Sequence, residues 1–387
     1  IAISAYNGSG VLAAIGTDQE LHFNTNVIGT LSLTGGNKTL VSDVTVGDLI
    51  LDAAQLTTDG NQLETTGEIS GYGETAYIVG ALVRSGADSL VFPIYNGSVY
   101  TPVVVKNISG QSPAIRIEGF SQDPLASAGN GLLGVSNNRY WEVSEASGSL
   151  DEMIVKLPVI NESVAPEAQD LTVAYGTNTG GSFRGLGIGV VTGNLSEGVV
   201  EASESSGTGF YAVGRYFNEQ LRESDSSALV SIYTNTNGAD WINSNGWLSD
   251  GLDTWARVTL IDKRVAELNL STNNLTSEFP TIDSGLEDLT SLNLQDNELT
   301  SVGDLSNLVA LEALDVSNNR LQFGVLTVVA EEHPEFTYAP QKPVLNRVRT
   351  LEQIGSVYTV NRTVTGSNNV YSWKKNDSDI SQTSSSF

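Results

Sequence analysis

Between Val265 and Leu321 one arrangement of apolar and polar positions occurs three times, as VAELNLSTNNL from Val265, LTSLNLQDNEL from Leu289 and LEALDVSNNRL from Leu311. All three fit L-x-x-L-x-L-x-x-N-x-L, with starts 24 and 22 residues apart. The L-x-L step has the period of a strand, where alternate side chains share a face, and not the three-to-four-residue step of a helix. Each copy therefore predicts one short strand and a return segment, whose apolar positions make a core only when copies stack. Asn273, Asn297 and Asn319 fall where the chain leaves the strand and bends. A side-chain amide there can satisfy turn backbone groups of the coils above and below. Glu298, next to the middle asparagine, is expected to be exposed. Ahead of the repeats, Asp225 is expected to cap a helix over roughly residues 226–234, with Leu229, Ile232 and Tyr233 as its apolar face.

The first seventy residues show short strand-like alternation broken by glycine, asparagine and threonine, as in GTLSLTGG and VGDLILDAAQLTT. Two architectures suit this pattern: the last coils of a β-solenoid, or a plain β-meander. From Ala76 the runs lengthen (AYIVGALVR, LVFPIYNGSVYTPVVVKNIS, RYWEVSE, GFYAVGRYF), which indicates an antiparallel β-sandwich with Tyr140 and Trp141 in its core. GLGIGVVTG at 185–193 has the glycines of a phosphate loop but no following lysine or helix, and is expected to be a glycine-rich strand.

Several stretches resemble known families. The three copies are similar to leucine-rich repeats, and Trp241, Trp247 and Trp255 resemble the tryptophan-rich cap that shields the first coil of such repeats in bacterial and plant surface proteins. FPIYNGSVYTPVVV at 92–105, RYWEV at 139–143 and GFYAVG at 209–214 resemble a module of very large surface proteins of gliding and filamentous Bacteroidota, with Tyr95 at a position where that module has glycine. FTYAPQKPV at 336–344 and VYSWKKNDSDISQTSSSF at 370–387 resemble the opening of a bacterial immunoglobulin-like module, with Trp373 in its core. The expected fold is mainly β and multidomain: terminal coils of a β-solenoid over residues 1–72, an antiparallel β-sandwich over 73–217, a capped leucine-rich-repeat domain over 218–330, and a truncated immunoglobulin-like domain over 331–387. Further chain is expected before Ile1 and after Phe387.

Charge narrows the partners. The 387 residues carry 45 acidic and 19 basic groups, a net charge of −26, so phosphate-rich nucleic acid is excluded as a partner. Cysteine is absent, which removes disulfides, thiolate metal sites and a cysteine nucleophile. No apolar run is long enough to span a membrane. His22 and His333 stand far apart in sequence without a triad-like partner, and each is read as a surface residue. Carboxylate pairs such as Asp48 with Asp52, or Asp151 with Glu152, have the residue types that acid–base chemistry on polysaccharide requires. Calcium is possible at Asp377 and Asp379, or at Asp240, Asp250 and Asp253, although neither group has the spacing of a recognised loop.

These readings lead to two function classes. One is a non-enzymatic structural and adhesive segment of a very large extracellular surface protein or filament, whose partners are other copies of itself or components of cell surfaces and prey. The resemblance to Bacteroidota proteins implies export by the type IX secretion system and use in attachment or gliding. The other class is an extracellular polysaccharide-degrading enzyme with its site in the solenoid. No catalytic residue, metal ligand or cofactor is assigned. The candidate binding residues are those that alternate outward from the repeat strands: Asn269 in the first copy, Asn293 and Gln295 in the second, Asp315 in the third.

Overall fold

The computed structural model describes residues 10–23, 27–86 (Val27 by its backbone), 88–249, 251–333 and 335–343, together with the backbones of the strands Ala2–Ile3, Trp373–Lys375 and Ser378–Ile380. The structure is mainly β, with 47% of residues in strands and 11% in helices. Two compact units divide after Asn218.

In the N-terminal part of the first unit the strands pair in parallel. Val11–Ile15 pairs with Val27–Thr34, which pairs with Val44–Asp52 and then Leu63–Thr65. A second parallel sheet runs through Gln19–Phe23, Asn37–Leu40, Gln55–Thr57, Tyr77–Val79 and Ile94–Tyr95. Parallel neighbours need a crossover between them, so the chain winds as a solenoid and the meander alternative is set aside. Stacking puts like on like: Leu31 is in register with Leu49 and Leu33 with Leu51, all four with no exposed surface. The rule has exceptions. Lys38, in register with Leu56, is also fully buried, and its ammonium donates to the carbonyls of Gly16 at 2.7 Å, Thr34 and Gly35.

The structure differs from the expected division at 72/73, because the coils continue through Ile94–Tyr95. Leu82–Ser85 pairs in parallel with Leu63–Thr65 on one side and antiparallel with Val103–Phe120 on the other, so a single sheet passes from solenoid to antiparallel region. One hydrophobic core runs from Ala14 to Val213. The antiparallel region is built on Val103–Phe120 against Tyr140–Ile160, whose register slips at bulges near Gly110. Gly110 has φ +138°, and a Cβ there would lie 2.0 Å from the Ser149 carbonyl oxygen, so only glycine fits. Trp141 joins the main core while its neighbour Tyr140 packs with Phe183 and Leu132 in a second cluster, as alternation along a strand requires. Residues 185–193 are not one strand: Ser182–Gly185 ends and Val190–Gly193 begins around Gly187, whose φ is +71°.

In the second unit the three copies give the parallel strands Arg264–Asn269, Ser291–Asn293 and Ala313–Asp315. Val258–Ile261 closes one edge as an antiparallel hairpin partner. Their return segments include the parallel pair Thr276–Phe279 and Glu298–Val302, and after the third copy the helix Phe323–Glu332. A further strand, Phe336–Thr337, pairs in parallel with Leu314–Asp315. FTYAPQKPV therefore opens as a fourth coil of the repeat sheet and not as part of an immunoglobulin-like module, and the repeats extend past the expected limit of 330 to at least Pro343. The rest of that module lies outside the described residues, apart from the hairpin pairing Trp373 with Ile380.

The helix ahead of the repeats is longer than expected, spanning Glu219–Asn235, so Asp225 is an interior residue and caps nothing. Its side chain is fully buried against the first two coils. Trp241, Trp247 and Trp255 are buried in the same core as the repeat leucines and form, with Tyr233, a chain of rings at centroid distances of 4.8 to 5.9 Å. Each indole N–H donates to a backbone carbonyl: Thr236, Ala256 and Ser249 respectively. The rings form the lid that an open repeat core needs, and their faces are not available to stack a sugar.

Candidate functional site

The outward face of the repeat sheet carries the four candidate binding residues. Asn269, Asn293 and Asp315 stand in register on adjacent strands, and alternation turns them away from buried Leu268, Leu292 and Leu314. Asn269 is exposed, whereas Asn293, Gln295 and Asp315 are half-buried. Each of the three registered side chains is occupied by its own turn. The oxygen Oδ1 accepts from the backbone N–H two residues on: Ser271 at 3.2 Å, Gln295 at 3.0 Å and Ser317 at 2.9 Å. These are Asx turns, and they fix the rotamers while leaving the far side of each group for a ligand. Arg257, which the sequence reading passed over, reaches this face and donates through Nη1 to the carbonyls of Asn269 and Ser271. The face is polar and carries none of the aromatic anchors typical of tight interfaces.

Beneath it lies a buried ladder of amide side chains that holds the coils in register. Asn297 is 1% exposed; its Oδ1 accepts from the N–H groups of Asn273 and Leu275, and its Nδ2 donates to the carbonyls of Leu270, Leu294 and Gln295. Asn319 repeats the pattern one coil on, bonding Leu299, Leu294, Val316 and Ser317. Gln341, 22 residues after Asn319, takes the next rung: Oε1 accepts from Leu321 N–H at 3.0 Å and Nε2 donates to the Val316 carbonyl at 2.9 Å. We expect Asn297→Ala to cost the second unit about 1 to 3 kcal/mol, since it strands buried backbone groups. Glu312→Ala, at an exposed position on the next strand's approach, should be nearly silent; equal shifts in thermal unfolding would contradict the ladder.

Glu298 is less exposed than expected. It is only partly exposed and pairs with Arg320 and with Lys342 at 2.8 Å, its equivalents in the third and fourth coils. The bond from Lys342 and then that from Arg320 hold its carboxyl below the usual glutamate range. A depressed folded pKa means stabilisation that is present above the unfolded value and lost as pH falls through the folded one. Removing the charge with Glu298→Gln should therefore lower the melting temperature at neutral pH by an amount equivalent to about 1 kcal/mol or less, given the solvent exposure. The difference between the two proteins should shrink below about pH 4.

The other candidates do not converge. Asp48 and Asp52 lie four residues apart on Val44–Asp52, about 13 Å along a strand, beyond the spacing of paired glycosidase carboxylates, about 5 to 9.5 Å. Asp48 instead accepts from Glu68 N–H of the next coil at 2.9 Å, as Asp18 does from Asn37 and Asp43 from Gln62. Asp151 and Glu152 lie together, both exposed, at a bulge between buried Leu150 and Met153, and Glu152 is taken up by Ser205, which donates to its Oε2 at 2.8 Å. His22 is exposed beside Glu20, and His333 contacts the Leu305 carbonyl in the other unit. Among the calcium candidates, Asp240 accepts from Asn237 and Asp253 pairs with Arg222, while Asp250 and Asp377 lie outside the described residues and Asp379 is described by its backbone alone. Among the described residues no cluster of three or more His, Asp or Glu is placed to hold a metal ion, and no helix is long and apolar enough to cross a membrane.

Comparison with known proteins agrees with the repeat geometry and adds nothing elsewhere. No curated protein and no solved structure matches the chain. Residues 263–321 match the leucine-rich repeat family, and this segment of the chain is a leucine-rich repeat.

Proposed function

We propose that this chain is a non-enzymatic adhesive segment of an extracellular surface protein or filament. The observation that carries the reading is the stacking of parallel coils in both units, with polar side chains recurring in register on the outward strands. Such surfaces suit repeated weak contacts, and leucine-rich repeats often mediate protein–protein interaction. The acidic surface limits non-specific clumping, and attachment comes from many shallow contacts together more than from one deep pocket. Partners in this reading are cell-surface components or further copies of the chain. The resemblance of residues 92–105, 139–143 and 209–214 to Bacteroidota surface modules extends the proposal to export by the type IX system and a role in attachment or gliding.

The test is to display the intact chain, and a version lacking residues 219–343, on the same cells and to score attachment to surfaces and to other cells. Lower attachment by the shortened version supports the reading. Attachment by neither version, or polysaccharide cleavage by the purified chain that is lost in an Asp48→Asn, Asp52→Asn variant, would instead favour the degrading enzyme.

A further inference from the structure

The first unit has a hollow of about 360 Å³ at the corner where the chain turns from the second parallel sheet into the first, through Gly80 and Ala81. Its wall mixes polar and apolar surface: Thr57, Asp59, Asn61, Gln62, Arg116 and Glu118 line it together with Val79, Ala81 and Val83. Arg116 Nη2 lies 2.5 Å from Glu118 Oε2, and the Asp59 carboxylate adds a further acidic group. Asn61 is held by a bond from its Nδ2 to the Leu40 carbonyl at 2.8 Å, so the wall is fixed before any ligand arrives.

A second feature adjoins it. Val79, part of the wall, is in register with Thr57 on one side and Tyr95 on the other, and neighbouring strands lie about 4.8 Å apart. Tyr95 is half-buried and stacks on Tyr77 at 4.5 Å with an interplanar angle of 10°; Tyr100 follows at 6.2 Å from Tyr77. A rim of phenol rings thus stands one strand away from a hollow of hydroxyl, amide, carboxylate and guanidinium groups.

We propose that this corner binds an uncharged sugar unit of a glycan. Sugar hydroxyls both donate and accept, which suits a wall holding both kinds of group, and the apolar face of a pyranose can lie against an aromatic rim. The net charge of −26 and the surplus carboxylate in the wall disfavour an anionic glycan, and an apolar peptide would leave the wall's charged and amide groups unpaired. The inference rests on the adhesive reading and gives it a ligand class.

The experiment applies the purified full chain to an array of neutral hexose and N-acetylhexosamine oligosaccharides together with their uronate counterparts. Tyr95→Ala, Arg116→Met and Thr57→Val variants are compared after their melting temperatures have been measured. Retention of neutral glycans is expected, falling about tenfold or more in those variants that melt like the parent, with Glu312→Ala on the other unit unchanged. Retention of uronates alone, retention undiminished in every normally melting variant, or no retention at all would overturn the inference. If cells displaying the chain still attach while no glycan is retained, the sugar site fails and the adhesive reading stands.

Discussion

Replacing Asp225 with alanine is expected to destabilise the second unit by about 3 to 5 kcal/mol, the range for removing one partner of a buried ion pair. The carboxylate has no exposed surface, and four donors converge on it: Arg264 Nε at 2.8 Å, Arg264 Nη2 at 3.0 Å, Val265 N–H at 3.1 Å and Leu286 N–H at 2.8 Å. It thereby ties the leading helix to the first strand and to the turn before the second. These bonds hold the Arg264 pKa above its ordinary value; without Asp225 the guanidinium is still charged, because its ordinary pKa is itself far above neutral. Glu287 and Asp288 would still reach Arg264 from partly exposed positions, but the two backbone donors would have no replacement acceptor. Asp225→Asn should be milder, because it keeps acceptor oxygen while losing charge. Urea unfolding followed by tryptophan fluorescence measures both, and a midpoint for Asp225→Ala within error of the parent would contradict this role.

Trp247→Ala is expected to cost about 3 to 5 kcal/mol, as deletion of a large buried ring does. Trp247 is the central member of the cap, 4.8 Å from Trp241, 4.9 Å from Trp255 and 5.9 Å from Tyr233. Its loss also removes the indole bond to the Ala256 carbonyl. Because the cap shares one core with Leu268 and Leu270, the cavity should loosen the first coil and expose its leucines. Increased binding of a hydrophobic dye at temperatures below the main transition would report this. A lower melting temperature without dye binding would mean that the cap collapses onto the coil instead of opening.

Three of the four coils were legible because leucine at fixed spacing states both the strand and its buried face. The fourth escaped because Phe336, Tyr338 and Pro343 stand where the others have leucine or valine, and Gln341 where they have asparagine. Its one visible trace was the 22-residue step from Asn319 to Gln341. Asp225 was misread for a different reason. A carboxylate near the start of a helical pattern has the local signature of a cap, whereas its partner Arg264 lies 39 residues away and leaves no mark in the local sequence. Alternation likewise showed that residues 11–70 form strands but could not choose between solenoid and meander, since both share it and differ only in which strands pair. On the repeat face, alternation pointed Asn269, Asn293 and Asp315 outward, but the reading did not use the short-range hint that each precedes a turn its own side chain closes.

The adhesive reading is tested most directly by coating beads with the purified chain at graded densities and measuring their retention on cell-covered surfaces under flow. Attachment by many weak contacts predicts negligible retention at low density and a steep rise above a threshold, with the monomeric chain in solution competing poorly. Absence of retention at every density, beyond that of uncoated beads, would contradict the account.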